Sequence, residues 1–177
     1  ISIHPKSNTN ISMKNVKVEI FTPHLVDVQA SSASEVNLKD SFISNEFNLK
    51  TSSSSNFHAV QIKALTIRMQ SSSGSHIEAY IRAKETELKA SSGSTIKLKG
   101  YSEKAEIKSS SGSKAKLKEL YTKESKINSS SGSRVKVSCT QSVVAKASSG
   151  SHIDIYKKGN NFKFKKSESS GGAVNLN

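Results

Sequence analysis

The chain has 177 residues, of which 33% are hydrophobic and 6% are aromatic, and its formal net charge is +13 at pH 7. That length suits one domain, but the low apolar content excludes a thick globular core, and no run of about 18 apolar residues offers a transmembrane helix. The single cysteine, Cys139, excludes an internal disulfide and a thiolate-rich metal site. The positive surplus favours anionic partners such as acidic polysaccharide, nucleic acid or lipid head groups, although it also serves solubility alone.

The N-terminal part of the chain predicts two short strands before any repeat begins. Apolar residues alternate over residues 16–20, which predicts a strand, and Pro23 then indicates a turn. Leu25 and Val28 predict a second strand. We therefore expect residues 1–30 to form lead-in strands and an N-terminal coil.

A serine-glycine phrase then recurs six times and divides the rest of the chain into nearly equal units. Its glycines are separated by 19, 19, 20, 18 and 21 residues, the length of one supersecondary unit that cannot bury a hydrophobic face alone. Two degenerate copies place Ala33 and Ser54 in the glycine position, at spacings of 21 and 20 residues, so at least eight coils occupy residues 31–177. The six repeat glycines are Gly74, Gly93, Gly112, Gly132, Gly150 and Gly171.

Each unit carries two alternating segments that predict β-strands. The residues three and five positions after the glycine are apolar and the residue between them is polar, as in Ile96, Lys97 and Leu98. A second segment has an apolar residue five positions before the glycine and a small one three positions before it, as in Ile107 and Ser109. Insertions of one or two residues concentrate between the two segments, so we predict a loop there.

The serine that follows each glycine continues the inward alternation and predicts an internal ladder of hydroxyl groups. Because a hydroxyl group both donates and accepts, serines on successive coils can bond to one another or to the turning backbone. We predict that the glycine supplies a positive φ or a close approach between coils. The serines concerned are Ser75, Ser94, Ser113, Ser133 and Ser151.

Two strands per unit of about 20 residues, stacked unit upon unit, predict an all-β fold: a single-stranded parallel β-helix, or solenoid. About 8 coils at a spacing of about 4.8 Å give a length of about 40 Å. The general preference for right-handed parallel crossovers favours a right-handed solenoid. A propeller needs blades of about 40 residues and a leucine-rich repeat needs its own leucine pattern, so neither fits. We expect residues 1–177 to form this single domain.

A resemblance to a known family rests on two stretches, the repeat pattern SSGSTIKLKGYSEKAEIKSSSGSKAKLKE and the N-terminal stretch VKVEIFTPHLVDVQASSASEVNL. Both resemble the head GIN domain family of auto-transporter adhesins, a bacterial family of the Bacteroidetes type. The resemblance implies a non-enzymatic β-helix, exported to the periplasm, outer membrane or cell surface, that acts as a structural or adhesive module. It implies no catalytic residue. Since the chain opens at Ile1 without a Met or an apolar signal segment, we expect it to be a trimmed or processed form.

A parallel β-helix can also carry an enzyme active site, and one pair of carboxylates occupies equivalent positions. Glu87 and Glu106 lie six residues before successive glycines, which predicts a separation of about 5 Å, as in a retaining glycosidase. Arg68 and Lys126 occupy the same position on the flanking coils, which favours simple charge neutralisation. A polysaccharide-acting enzyme is therefore the least favoured function, and we expect no catalytic residue, metal site or cofactor.

The outward positions of the first strand segment carry a basic strip on three consecutive coils. Like charges stacked at strand spacing are mildly destabilising, and a polyanion lying along them would relieve that repulsion with a salt-dependent affinity. Lysines also suit solvated strands without any ligand, since they discourage aggregation. The basic strip comprises Lys97, Lys99, Lys114, Lys116, Lys118, Arg134 and Lys136.

The partners that these patterns favour are glycans or other anionic polymers of the envelope. An aromatic content of 6% gives few stacking platforms, which argues against specific nucleic-acid recognition. The chain ends just after Val174 and Leu176, and an open strand edge there predicts end-to-end pairing or another homo-oligomer.

Overall fold

The computed structural model describes residues 18–22 and 24–177, and every regular element within them is a β-strand. None of these residues forms a helix long and apolar enough to cross a membrane. The strands are β1 (Asp27–Ala30), β2 (Glu35–Thr51), β3 (Asn56–Ser71), β4 (His76–Ala90), β5 (Thr95–Ser109), β6 (Lys114–Ser129), β7 (Arg134–Ala147), β8 (His152–Lys157), β9 (Lys163–Glu168) and β10 (Ala173–Leu176).

The strand pairings are parallel and join each coil to the next. The strand order is β1-β2-β3-β4-β5-β6-β7-β8-β10, and β9 also pairs with β7. The result is a β-solenoid of about eight turns, which confirms the predicted fold class, while its right-handed sense stays a prediction. Because each coil buries its inward residues only against its neighbours, stability accumulates by stacking.

The lead-in segment differs from the predicted pair of strands. Residues 18–22 have no regular secondary structure, and Val18 and Ile20 are about half exposed. Alternation alone makes no strand there, because no described strand pairs with these residues. The second predicted strand is present but short, since β1 begins at Asp27. Pro23 and the residues before Val18 lie outside the described residues.

The loop predicted between the two strand segments of each coil is wrong for the central coils. On this side of the solenoid, which we call the bend side, the chain turns without leaving the sheet, and β5 runs continuously over 15 residues. Extra residues are absorbed as bulges, with register shifts between Leu38 and Ser41 of β2 and between Leu117 and Tyr121 of β6. A bulge keeps the hydrogen bonds on either side, whereas a loop would leave more backbone groups unpaired.

The serine-glycine phrase forms a tight turn that recurs on the opposite side, which we call the turn side. Ser73 and Gly74 have φ of 51° and 70°. The Ser75 amide donates to the Ser72 carbonyl at 3.1 Å and closes the turn. Two central residues of positive φ indicate a type I′ turn, which favours glycine. A Cβ atom on Gly112 would meet nothing within 4 Å, so the repeat glycine is favoured for its φ rather than for space.

The internal ladder of serine hydroxyl groups is present as predicted. Ser94 is fully buried, and its hydroxyl group donates to the Ser71 carbonyl of the preceding coil at 2.8 Å. The same oxygen accepts from the Ser91 amide at 3.2 Å, within its own turn. Equivalent bonds on the other coils tie each turn to the coil before it. The other buried members of the ladder are Ser75, Ser113, Ser133 and Ser151.

The apolar core is a thin stack, as the low hydrophobic content predicts. Residues three and five positions after each glycine are buried in the central coils, and Ile96 and Leu98 have no exposed surface. Phe47 and Phe57 contact one another nearer the N-terminus, with ring centroids 6.2 Å apart. Leu176 of β10 is 45% exposed, and no described strand pairs with the outer edge of β10. End-to-end pairing at this edge stays a prediction.

Candidate functional site

The basic strip lies on β5, β6 and β7, in the segment that follows each turn. Its residues point outward because they alternate with buried ones, as Lys116 does between Ala115 and Leu117. The register places Lys97, Lys116 and Lys136 side by side on successive coils. Neighbouring strands are about 4.8 Å apart, so three ammonium groups share one short column.

A second column completes a groove on the strip. Lys114 lies opposite Arg134, and the two columns border an open groove of about 410 Å³. Six of the seven predicted strip residues line it. Lys99 does not, because a register shift between β5 and β6 places it opposite Glu119, with 3.0 Å between its Nζ and the carboxylate. The structure thus gathers six strip residues into one surface, while Lys99 pairs with Glu119, whose side chain also lines the groove.

Acidic residues neutralise both ends of the strip. Lys97 Nζ lies 2.7 Å from a carboxylate oxygen of Glu78, and this hydrogen bond lowers the pKa of Glu78 and raises the pKa of Lys97. At the other end, Lys136 Nζ lies 3.7 Å from a carboxylate oxygen of Asp154, which also accepts a hydrogen bond from the side-chain amide of Asn175 at 3.2 Å. Such accessible pairs contribute little to stability. Their effect is to confine the excess positive charge to the middle of the strip.

The middle of the strip keeps its charge uncompensated. Lys114, Lys116 and Arg134 are exposed, and none of them forms an ion pair with another described residue. Lys114 and Arg134 lie side by side, and Lys116 lies between the two paired lysines of its column. Like charges at this spacing repel one another, so these three cations are the most available contacts for an anion.

An aromatic residue at the edge of the strip was not predicted. Lys118 Nζ stands 4.5 Å from the centroid of the Tyr156 ring, which is a cation–π distance. Ser138 lies between them, and its small side chain turns inward to donate to the Lys118 carbonyl at 2.7 Å. Both members of the pair follow their repeat glycine by six positions, and that equal offset is the signal the sequence offers.

The carboxylate pair that was predicted at glycosidase spacing is neutralised by its neighbours. The register places Glu87 opposite Glu106, with Arg68 and Lys126 in the same row, as predicted. Arg68 Nε lies 3.7 Å from Glu87, and Lys108 Nζ lies 3.0 Å from Glu106. The hydrogen bond from Lys108 lowers the pKa of Glu106, whereas a general acid needs a raised pKa. This row is better suited to a charged surface than to catalysis.

The part of the chain that the structure describes contains no group of three or more His, Cys, Asp or Glu side chains that could hold a metal ion. Burial lowers the pKa of His76, so its ring is neutral near pH 7 and adds no charge beside the strip. Cys139 is buried, and its thiol donates to the Lys123 carbonyl at 3.0 Å, as suits a small core residue.

Most of the chain matches a known family model. The model described as "putative auto-transporter adhesin, head GIN domain" matches residues 2–159. The chain belongs to this head GIN domain family. This membership confirms the resemblance carried by the repeats, and the family description implies an exported or surface protein of a bacterium. No curated protein matches the chain.

The head GIN domain shares its fold with a solved crystal structure from Parabacteroides distasonis ATCC 8503, described as a "putative lipid binding protein". The TM-score is 0.74 at 16% sequence identity, and the match covers 85% of this chain and 61% of that one. The chain thus spans less than two thirds of the neighbour's length, and the likeness shows the fold alone.

Proposed function

We propose that this head GIN domain is a non-enzymatic binding module of the bacterial envelope, in the periplasm, outer membrane or cell surface, that contacts glycans or other anionic polymers through the basic strip. The observation that carries the proposal is the uncompensated middle of the strip, where Lys114, Lys116 and Arg134 border an open groove. An anionic chain across these residues relieves the repulsion between them. Membership of a family described as adhesin-like supports a structural or adhesive role.

The shape of the strip favours an extended polymer over a compact anion. Its groove is open, and its cations are spread over three consecutive coils. Three coils span about 10 Å at strand spacing, so one chain with repeated negative groups can contact all of them. The exposed position of the cations makes these contacts sensitive to salt.

The state of the carboxylate row supports a non-enzymatic role. Glu87 and Glu106 are both engaged by neighbouring cations, and the lowered pKa of Glu106 keeps that residue ionised near neutral pH. A carboxylate that is held ionised in this way does not serve as the general acid for glycosidic cleavage. The same row is therefore part of the charged outer surface.

The proposal is tested by measuring which lysines a bound polymer protects from acetylation. Dextran sulfate is titrated into the protein, and acetylation of each lysine is followed by mass spectrometry. We expect the polymer to protect Lys114 and Lys116 at a lower concentration than Lys84 and Lys104, which are exposed on the bend side. Equal protection of the two pairs would contradict a specific site on the strip.

Substitution of one uncompensated cation provides the second arm of this test. Arg134→Gln should raise the dextran sulfate concentration that protects Lys114 and Lys116 by about threefold to tenfold, because one charge-assisted contact is lost. Lys84→Gln removes the same charge far from the strip and should leave that concentration unchanged. If vesicles of phosphatidylglycerol protect the strip and dextran sulfate does not, the proposed polymer ligand is contradicted and a lipid surface is favoured instead.

A further inference from the structure

A second groove runs along the solenoid, beside the turns and away from the basic strip. It has a volume of about 580 Å³ and reaches from Gln70 to Ser169. Its longer row of side chains lies four positions before each repeat glycine and occupies six successive coils. Five coil spacings of about 4.8 Å give the groove a length of about 24 Å. We call it the turn-side groove.

The repeat itself builds this groove. Residues four positions before each glycine point outward and form one wall, aligned by the parallel register. Residues three positions before it are serine or alanine in the first five of these coils and turn inward, so nothing bulky fills the space there. In the sixth coil this position is Glu168, whose carboxylate accepts a hydrogen bond from the Val174 amide. Residues two positions before each glycine are serines and form the second row. The first row is Gln70, Lys89, Lys108, Asn128, Lys146 and Ser167.

The serine row of the groove has unused hydroxyl groups. In each turn, the serine amide bonds to the ladder serine, as the Ser110 amide does to Ser113 Oγ at 3.1 Å. The side-chain oxygens of this row form no hydrogen bond with other described residues and are partly exposed. These hydroxyl groups are available to donate hydrogen bonds to a ligand or to accept them from it. The row comprises Ser91, Ser110, Ser130 and Ser148, and Ser169 continues it in the last coil.

The turn-side groove is positively charged, and none of the described residues that line it carries a carboxylate. Lys89 and Lys146 form no ion pair with the described residues. The third lysine of the wall, Lys108, has its Nζ 3.0 Å from a carboxylate oxygen of Glu106. The remaining wall positions are the amides Gln70 and Asn128 and the hydroxyl residue Ser167. Ammonium, amide and hydroxyl groups thus follow one another along the groove. Its described lining residues include no aromatic side chain for base stacking and no large apolar side chain for insertion into lipid.

We infer that the turn-side groove is a binding site for a linear acidic polysaccharide that lies along the solenoid axis. Carboxylate groups of the polymer contact Lys89, Lys108 and Lys146, and sugar hydroxyl groups bond to the serine row and to the amides. A polymer with charge alone would use only the first row, whereas a sugar polymer uses both. This site is separate from the basic strip and does not rest on the function proposed for it.

The test uses a strip-deficient parent, so that binding at the strip cannot produce the result. In the variant Lys114→Gln, Lys116→Gln, Arg134→Gln, polygalacturonate and polyacrylate are titrated, and acetylation of Lys89 and Lys146 is followed. Both polymers carry repeated carboxylates, but only polygalacturonate carries sugar hydroxyl groups. We expect polygalacturonate to protect the two lysines at about tenfold lower concentration, since several hydrogen bonds are added. Equal concentrations, or no protection, would overturn the inference.

A serine substitution in the same parent separates hydroxyl recognition from charge. Removal of three hydroxyl groups from the row, by Ser91→Ala, Ser110→Ala and Ser130→Ala, should abolish the advantage of polygalacturonate and leave the polyacrylate concentration unchanged. The matched control substitutes the neighbouring exposed turn serines, Ser92→Ala, Ser111→Ala and Ser131→Ala, and should preserve the advantage. Circular dichroism and an unchanged unfolding midpoint confirm that the variants are folded. An advantage that survives loss of the serine row would contradict the inferred site.

Discussion

The turn side and the bend side of the solenoid redirect the chain within every coil, but they do so in different ways. On the turn side, six coils share φ of 47–52° at the serine and 69–73° at the glycine. On the bend side, the strands continue through the corner, and the register shifts between β6 and β7 but not between β4 and β5. A two-residue turn tolerates no insertion, whereas a bulge absorbs one. Sequence repetition is therefore strict on the turn side and loose on the bend side.

The largest difference between the two sides is expected at Gly100, on the bend side. Its φ is 109°, and a Cβ atom there would clash with the Ile81 carbonyl oxygen. Gly100→Ala should lower the free energy of unfolding by about 3 kcal/mol or more, because the backbone must move. Gly112→Ala on the turn side has a φ of 69° but open space, so it should cost about 1 to 2 kcal/mol. Denaturant unfolding compares them, and equal losses would contradict a steric role for Gly100.

A smaller effect should separate inward from outward serines on the turn side. The Ser113 hydroxyl group donates to the Ala90 carbonyl at 2.9 Å and accepts from the Ser110 amide at 3.1 Å. Ser113→Ala should cost about 1 to 2 kcal/mol, because these buried bonds are lost. Ser111→Ala in the same turn is exposed and should change the free energy of unfolding by less than about 0.5 kcal/mol. Indistinguishable unfolding curves for the two variants would remove the ladder from the account of stability.

The smallest effect concerns the last coil, where the turn side departs from its own pattern. Glu168 replaces the small residue three positions before Gly171, and its carboxylate accepts from the Val174 amide at 2.6 Å and from Lys166 at 3.1 Å. The backbone hydrogen bond lowers the pKa of Glu168 from its ordinary value of 4.5. Because the pKa of Glu168 is lowered in the folded state, the ionised carboxylate stabilises β10 at pH values above the ordinary pKa. This contribution is lost as the pH falls through the lowered pKa.

Hydrogen exchange of the β10 amides measures this contribution. At pH 7, Glu168→Gln should lower the protection factor of the Val174 amide relative to the unsubstituted protein. Well below pH 4.5 the two proteins should converge, since the carboxylate is then protonated in both states of the unsubstituted chain. A difference that persists unchanged at acid pH would show that charge on Glu168 is not its cause.

The parts of the fold that were predictable follow from repetition. The glycine spacing and the alternation around it predict the solenoid, the buried apolar pairs and the inward serine ladder, because identical positions on successive coils meet identical neighbours. The bend side was not predictable in the same way. Insertions there indicate a loop by ordinary rules, but the chain keeps its hydrogen bonds by forming bulges, such as the one that offsets Lys118. The bulges become visible only in the strand register between particular coils.

The residues of the basic strip were predictable, but the balance between positive and negative charge along it was not. Alternation places Lys97, Lys116 and Lys136 on one outer column, yet which of them are neutralised depends on Glu78 and Asp154, on coils outside the three that carry the strip. The turn-side groove gave a weaker signal. Its wall mixes glutamine, lysine and asparagine at one repeat position, so no single residue type marks it, and its depth depends on the small residues between the rows.

The salt dependence of polymer protection at Lys116 tests whether the basic strip binds a polyanion. The dextran sulfate concentration that half-protects Lys116 from acetylation is determined between about 50 and 200 mM salt. Three uncompensated cations predict that the logarithm of affinity falls with the logarithm of salt concentration with a slope of about −2 to −3, reduced by about 1 in Arg134→Gln. A flat dependence, or the same slope with and without Arg134, would contradict a polyanion-binding role for the strip.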